Sequence, residues 1–186
     1  MKVSRETLAL LTALAALATA GEARAEDSRP QWNTALVTGL AFERGPADER
    51  HRPMLFAAHG DVILGRSSNR SWGVGPMARV GTYRFRDLQA QGGVSLLIPS
   101  HEYLPFVLSG GAMVRKDGIS SPGVFGSLFW GSRSFNHHGS YVLVGGLVLE
   151  ARKDLGGDRS SAFVVGAHLD GEVLSLPILM LVNAFR

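Results

Sequence analysis

The sequence predicts an all-β fold, namely an eight-stranded antiparallel up-and-down membrane β-barrel followed by a short apolar C-terminal segment. Three observations predict it. Runs of about 11 to 14 residues with one apolar phase recur along the chain. Turn-rich breaks separate these runs, and no long window with helical periodicity follows Pro30. The chain also holds 23 glycines and no cysteine, which suits a curved sheet held by backbone pairing rather than by disulfides.

The first 25 residues are predicted to be a secretory signal peptide. Lys2 and Arg5 precede an apolar stretch over residues 8–20, and Ala23-Arg24-Ala25 forms a small-x-small cleavage site. The apolar stretch is too short and too rich in alanine to span a membrane comfortably, and no stop-transfer pattern follows it.

Cleavage after Ala25 would leave an N-terminal extension over residues 26–30, a β-barrel over 31–174 and an apolar tail over 175–186. The net charge of the whole chain is only +3, and the arginines are scattered among acidic residues. We therefore expect no nucleic-acid partner.

Eight predicted strands follow in order along the chain. They are the segments 31–43, 54–65, 72–84, 87–98, 104–116, 123–133, 141–152 and 161–174. The last run shows the alternation clearly, because Phe163, Val165 and Leu169 oppose three ionisable residues on the other phase. Those three are His168, Asp170 and Glu172.

The polar phase of these runs predicts which face of the sheet meets lipid. It is rich in glycine, alanine, serine and glutamine with few charges, whereas charge concentrates in the breaks. Small and polar side chains suit the narrow interior of an eight-stranded cylinder, so the apolar phase is left to face lipid. Run lengths agree with tilted membrane strands, and closure satisfies every backbone group where water is absent.

The chain resembles the small eight-stranded outer-membrane barrels of Gram-negative bacteria. The resemblance covers roughly residues 31 to 174 and consists of the strand pattern and the export signal. It implies a location in the outer membrane, with the periplasm as the alternative. It also implies membrane lipid, including lipopolysaccharide, and the barrel-assembly machinery as partners, and we expect no cofactor.

The C-terminal tail departs from that family, whose members commonly end on a strand with a terminal aromatic residue. Here Phe185 is next to last, and Pro177 lacks the N–H that a strand ladder needs. We interpret Ile178 to Phe185 as a short apolar helix, and a continued eighth strand is the alternative.

An interior polar cluster is predicted from the ionisable residues on the inward phase. Its members are His59, Asp61, Arg79, Glu150, Arg152, His168, Asp170 and Glu172. If the first and eighth strands pair, His59 can face His168 across the lumen. Structural ion pairing with Arg79 and Arg152 as the cations is favoured, since buried charges are costly unless paired. A metal site formed by His59, Asp61, His168 and Asp170 is the alternative.

A second alternative concerns catalysis. The pair His138 and Ser140 looks like the His-x-Ser element of the outer-membrane lipid A deacylases, which implies His138 as base and Ser140 as nucleophile. The nearest downstream acid in phase is Glu150, about 33 Å away along one strand, which is too far for a hydrogen bond. The predicted topology also places this segment on the periplasmic side, whereas those enzymes work on the outer leaflet.

We therefore predict an outer-membrane barrel of structural or interaction role, with a side-chain-filled lumen and no evident catalytic site. The alternatives are a lipid A deacylase-like membrane enzyme and a periplasmic soluble barrel that binds an apolar ligand. Six aromatic residues near run ends are expected to lie at the membrane interfaces. They are Trp32, Trp72, Tyr83, Tyr103, Trp130 and Tyr141.

Overall fold

A computed structural model describes residues 28–45, 50–83, 85, 87–117, 119–135, 143–156 and 160–171 of the chain. Several predictions lie outside these residues: the signal peptide over 1–25, His138, Ser140, Glu172 and the tail over 175–186. Among the described residues, no helix is long and apolar enough to cross a membrane.

Nine strands occur in this part of the chain, and eight of them close into a barrel. They are β1 (Gln31–Arg44), β2 (Arg50–His51), β3 (Met54–Ile63), β4 (Gly73–Tyr83), β5 (Leu88–Ile98), β6 (Phe106–Asp117), β7 (Ile119–Arg133), β8 (Val144–Asp154) and β9 (Ser161–Asp170). The two-residue strand β2 pairs only with the end of β1. Each of the others pairs antiparallel with its neighbour in the chain, and β9 pairs back onto β1. The predicted eight-stranded up-and-down barrel is therefore confirmed.

The register of the strands sets the shape of the barrel. A row of directly opposite residues that starts at Arg44 of β1 returns to β1 at Thr34 after one circuit. The row runs through Arg44, Ser161, Lys153, Val124, Ala112, Gly92, Ala78, Gly60 and Thr34. With eight strands, this offset of ten residues corresponds to a strand tilt of about 40° and a backbone radius of about 8 Å. The lumen is narrow enough for side chains to fill it.

The outer face of the barrel is apolar. Exposed and buried residues alternate along the strands, and the exposed ones include Leu40, Leu147 and Phe163 at 50%, 55% and 46% exposure. In β1 the outward-facing residues Trp32 and Phe42 are ten positions apart, which is about 25 Å along the axis of a barrel with this tilt. A band of that height matches the apolar band of membrane barrels.

The two ends of the barrel differ in their aromatic residues. We call the end where β1 begins and β9 ends the entry end, and the opposite end the far end. Trp32, Trp72, Trp130 and Tyr103 are exposed near the entry end, as expected for residues at a membrane interface. Tyr83 does not lie at a membrane interface as expected, because it is 2% exposed and points into the lumen. Its position lies on the inward phase of β4. Tyr141 lies outside the described residues.

Facing strands approach each other very closely where glycines point inward. Gly93 of β5 lies opposite Gly111 of β6, and a Cβ atom at Gly93 would stand only 2.2 Å from the backbone oxygen of Gly110. At the adjacent Gly92, which points outward, a Cβ atom would meet nothing within 4 Å. Inward glycines therefore permit the curvature of a small barrel.

Candidate functional site

A column of polar side chains fills the lumen from one end to the other. We define this polar column by its members, which are Asn33, Glu43, His59, Asp61, Arg66, Arg79, Asp87, Gln89, Gln91, Arg115, Arg133, Glu150, Arg152, Asp154, His168 and Asp170. All are buried except Arg115, whose side chain is 14% exposed. Among the described residues, the column holds five arginines and six carboxylates, so its charges nearly balance. Such burial is tolerable only when the ions pair and hydrogen bond.

The strongest ion pair near the entry end joins β3 to β7. Arg133 donates from Nη1 to Asp61 Oδ2 at 2.9 Å and from Nη2 to Asp61 Oδ1. The side chains of both residues are 2% exposed. His59 Nε2 also donates to Asp61 Oδ2 at 3.0 Å. This two-pronged contact between guanidinium and carboxylate is the strong type of protein ion pair.

Two histidines meet beside this pair. The rings of His59 and His168 have centroids 4.9 Å apart with an angle of 70° between their planes. Asn33 Nδ2 lies 3.3 Å from His168 Nε2, and the ring of Phe129 packs edge-on against His168 at 5.1 Å. β1 lies between β3 and β9 in the barrel. Closure therefore brings His59 and His168 together although they are far apart in sequence.

The metal alternative gains no support from this geometry. Arg133 already occupies both oxygens of Asp61, and Asp170 Oδ2 accepts the backbone N–H of Val144 at 2.9 Å. Within the described part of the chain, no three His, Cys, Asp or Glu side chains converge to hold a metal ion.

The centre of the column is an ion pair between β4 and β8. Arg79 Nη1 donates to Glu150 Oε2, and Gln91 Nε2 donates to Glu150 Oε1 at 2.8 Å. The side chain of Glu150 is 0% exposed and that of Arg79 is 5% exposed. Both oxygens of this carboxylate are therefore satisfied inside the barrel.

At the far end, acidic side chains surround an arginine. Arg115 Nη1 donates to Glu43, and Arg115 Nε donates to Asp87 Oδ2 at 2.8 Å. Asp154 Oδ2 lies 3.8 Å from Arg115 Nη1.

Next to this group, Arg152 donates to Gln89 Oε1. Its guanidinium carbon stands 3.8 Å from the ring centroid of Tyr83, which is a favourable cation–π contact. The carboxylate of Glu43 stands farther away, with its Oε1 4.0 Å from Arg152 Nη2.

At the entry end, Arg66 from the segment after β3 covers the column. It is fully buried and donates from both terminal nitrogens to the backbone oxygen of Arg133, at 3.3 and 3.4 Å. Its guanidinium carbon lies 5.7 Å from the ring centroid of Phe135. Burial, with the neighbouring charge of Arg133, lowers the pKa of Arg66 to about 10. The segment around Arg66 thereby closes this end of the lumen over the ion pairs.

Two small cavities lie within the column. One is lined by residues that include His59, Arg79 and His168, the other by residues that include Gln91 and Glu150, and each has a volume of about 10 Å³. A volume of that size has room for about one water molecule. Around these described residues, the interior is therefore a packed polar core rather than a ligand chamber.

The structure places seven of the eight sequence-predicted cluster residues in the lumen: His59, Asp61, Arg79, Glu150, Arg152, His168 and Asp170. It pairs Arg79 with Glu150, whereas the closest contacts of Arg152 are Gln89 and Tyr83. Glu172 and the catalytic candidates His138 and Ser140 lie outside the described residues.

Sequence reasoning missed several members of the column. They are Glu43, Arg66, Asp87, Arg115, Arg133 and Asp154. Most of these lie at strand ends or in connecting segments, where charge was assigned to solvent. The parity of Arg115 and Arg133 within their runs was the available signal, since each continues the inward phase of its strand.

Comparison with known proteins gives little further information. No protein-family model matches the chain, and no curated protein matches it. Among solved structures, the chain is similar to the solution NMR structure of TMB2.3, a de novo designed protein. The two are 13% identical with a TM-score of 0.39, and the match covers 76% of this chain and 96% of that one. A likeness of this degree carries no argument about function.

Proposed function

We propose that the protein is an outer-membrane β-barrel with a structural or interaction role, inserted in lipid by its apolar outer band and closed by its polar column. The observation that carries this proposal is the combination of an apolar exterior with a charged interior. Water-soluble proteins show the reverse arrangement, since buried ions are costly and apolar surface drives burial.

The outer band supports insertion into a bilayer. Its exposed residues on β8 and β9 include Leu147, Leu149, Phe163 and Val165, and no charged residue interrupts these strands on the outer face between Leu147 and Ala151 or between Phe163 and Leu169. An apolar surface of this extent would drive association in water. In a bilayer it lies against hydrocarbon, while closure of the barrel pairs the backbone groups of every strand.

The polar column supports a closed barrel rather than a pore or a ligand carrier. A soluble barrel that binds an apolar ligand needs an apolar cavity of several hundred Å³. Here the cavities beside Arg79 and Glu150 hold about 10 Å³ each. The ion pairs of the column join strands on opposite sides of the lumen, such as Arg133 of β7 to Asp61 of β3. We infer that the column stabilises the barrel and prevents free passage of solutes.

The predicted export signal and the difference between the two ends of the barrel support an orientation. A chain delivered to the periplasm would keep its entry end there, with the far end at the cell exterior. The far end would then present exposed residues such as Arg44, Arg52 and Lys153 to lipopolysaccharide or to a protein partner. Folding of the barrel in the membrane would require the assembly machinery.

Membrane fractionation combined with gel mobility tests this proposal. The full chain, expressed with its own N-terminus in a Gram-negative host, should stay in the membrane pellet through a carbonate wash and dissolve only in detergent. Without heating it should migrate as a compact barrel, and boiling should shift it to the mobility of the unfolded chain. Release by carbonate, or a single mobility at all temperatures, would contradict the proposal.

Conductance in planar bilayers tests the closed lumen separately. The wild-type barrel should show no steady current steps. Removal of the central ion pair in the double variant Arg79→Ala and Glu150→Ala should allow small currents. An open-pore conductance from the wild-type protein would contradict the role that we assign to the polar column.

A further inference from the structure

At the far end of the barrel, the described acidic side chains lie inside, whereas basic side chains lie both inside and on the outer face. Among the described residues there, the acidic side chains of Glu43, Asp87 and Asp154 are buried in the lumen. The basic side chains on the outer face are exposed, and we name them the basic ring. They are Arg44, Arg52, Lys116 and Lys153. Among the described residues, the exposed charged side chains at this level are therefore all basic, and they lie next to an apolar band.

Strand register places hydroxyl groups beside the cations of the basic ring. Lys153 of β8 lies directly opposite Ser161 of β9, and Arg44 of β1 lies opposite the same Ser161 from the other side. Lys116 of β6 lies directly opposite Ser120 of β7. Both serines are exposed. Opposite residues have Cβ atoms about 5 Å apart. The ammonium group of each lysine and the hydroxyl group of the serine opposite it can therefore bind oxygens of the same phosphate group.

The first of these groups spans three adjacent strands. Arg44 and Lys153 lie one strand to either side of Ser161, which places their Cα atoms about 10 Å apart. Side chains of this length reach an anion above Ser161 from both sides. Two cations and a hydroxyl are a donor set that phosphate oxygens accept.

The surface directly below the basic ring is apolar. Phe42 precedes Arg44 by two residues on the same face, Val114 precedes Lys116, and Phe163 follows Ser161. Arg52 also lies with its guanidinium carbon 6.0 Å from the ring centroid of Phe42. A molecule that contacts both levels has an anionic head and an apolar tail.

The entry end lacks this arrangement in the described part of the chain. Its exposed arginines are Arg29 and Arg70, and Arg70 is paired with Glu102 at 3.8 Å. Tryptophans such as Trp32 and Trp130 mark the edge of the apolar band there. The two ends are thus suited to different headgroups.

We infer that the basic ring binds the phosphate groups of anionic lipids in the leaflet at the far end of the barrel. This inference rests on the proposed membrane insertion. The ring stands on a convex outer surface, where none of the strands that the structure describes covers a bound phosphate, so binding depends on the lipid tails packing against the apolar band below. The ligand is therefore a phosphate carried by a lipid and not a free phosphate ion.

Lipid binding to the folded barrel in non-ionic detergent tests the inference. The heat-dependent gel shift first verifies that each preparation is folded. Native mass spectrometry then measures the apparent Kd for phosphatidylglycerol, for lipid A and for the zwitterionic phosphatidylcholine. The variants are the double substitution K116Q and K153Q and, as a matched control at the entry end, the single substitution R70Q.

The wild-type barrel should bind phosphatidylglycerol and lipid A more tightly than phosphatidylcholine, and added salt should weaken this preference. The K116Q and K153Q variant should raise the apparent Kd for anionic lipid by about tenfold or more, while R70Q should leave it unchanged. A loss confined to lipid A would support the inference with lipid A as the partner.

Three results would overturn the inference: equal affinity of the wild-type barrel for anionic and zwitterionic lipid, an equal loss of affinity in R70Q, or displacement of the lipid by millimolar inorganic phosphate. Each can occur in a barrel that is folded and inserts into vesicles, which would leave the proposed function intact. A barrel that does not insert into vesicles would instead contradict the proposed function. The comparison of lipids on the wild-type protein remains decisive if the double variant does not fold.

Discussion

The ion pair between Arg79 and Glu150 allows the polar column to be tested quantitatively. Substitution of Arg79 by methionine removes the cation but keeps a side chain of similar length. Glu150 would then keep one hydrogen bond, from Gln91 at 2.8 Å, and would remain fully buried. Charges about 4 Å apart attract by about 4 kcal/mol at an effective dielectric constant of 20, and loss of one partner of a buried pair costs about 3–5 kcal/mol. We expect R79M to lower the free energy of unfolding by that amount.

Urea titration of the barrel in lipid vesicles measures this free energy, with the fluorescence of the three tryptophans as the signal. E150Q should also destabilise, because Arg79 would then be a buried cation without a counterion. The double variant R79M and E150Q removes both charges and leaves no unpaired ion. Its cost in unfolding free energy should therefore be at least about 2 kcal/mol smaller than the sum of the two single costs.

A control comes from the exposed pair of Arg70 and Glu102, whose side chains are 83% and 42% exposed. R70Q should change the free energy of unfolding by no more than about 1 kcal/mol. A cost below about 1 kcal/mol for R79M, or strictly additive costs in the double variant, would refute the reasoning that the column is a network of desolvated ion pairs.

Three further predictions concern the backbone, the outer face and the lumen. Gly93→Ala should prevent assembly or strongly lower the urea concentration at the midpoint of unfolding, because its Cβ atom would lie 2.2 Å from a backbone oxygen. Gly92→Ala should be tolerated, because its Cβ atom would meet nothing within 4 Å. Equal effects of the two substitutions would contradict the register. Leu147→Arg should cost about 2–4 kcal/mol in vesicles, and Leu155→Arg at the far end about 0–1 kcal/mol; urea titration separates them, and a harmless Leu147→Arg would mean that this face does not meet hydrocarbon. Tyr83→Phe should retain the free energy of unfolding, because the ring beside Arg152 remains. Tyr83→Leu should lose about 1–2 kcal/mol of cation–π stabilisation. A loss in Tyr83→Phe as large as that in Tyr83→Leu would contradict this expectation.

Much of the fold could be predicted from the sequence because alternation of side chains is a local signal. In β5 the glutamines Gln89 and Gln91 alternate with outward Leu88 and Val94, so the parity alone separates the two faces. A strand in lipid must also be long and must close with its neighbours. The number of strands, and which alternate residues face lipid or the lumen, can therefore be predicted from the sequence without knowledge of contacts between distant residues.

The partners inside the lumen could be predicted only in part, because they depend on register and tilt. Arg133 lies at the end of β7, where Phe125 and Phe129 make the inward phase as apolar as the outward one. Arg133 continues the inward parity of β7, but with apolar residues on both phases the parity alone did not show which phase faces the lumen. Its contact with Asp61 joins residues 72 positions apart, and only the offset of ten residues around the barrel brings their strands to the same level.

Arg66 shows a second limit of sequence reasoning. It lies after β3 in a polar segment, "GRSSNRS", of the kind usually assigned to solvent. The segment instead folds back over the entry end, where the backbone N–H of Phe135 donates to Asn69 Oδ1 at 2.5 Å. The tertiary contact decides the burial of Arg66, and no local pattern reports it.

Site-directed spin labelling along β8 tests most directly which face of the sheet meets hydrocarbon. The chain contains no cysteine, so single cysteines at Leu147, Val148, Leu149 and Glu150 can each carry one label in vesicles. We predict high accessibility to oxygen, which dissolves in lipid, at Leu147 and Leu149, and low accessibility at Val148 and Glu150. The opposite alternation, or labels at Leu147 and Leu149 that respond to a water-soluble nickel complex rather than to oxygen, would contradict the account.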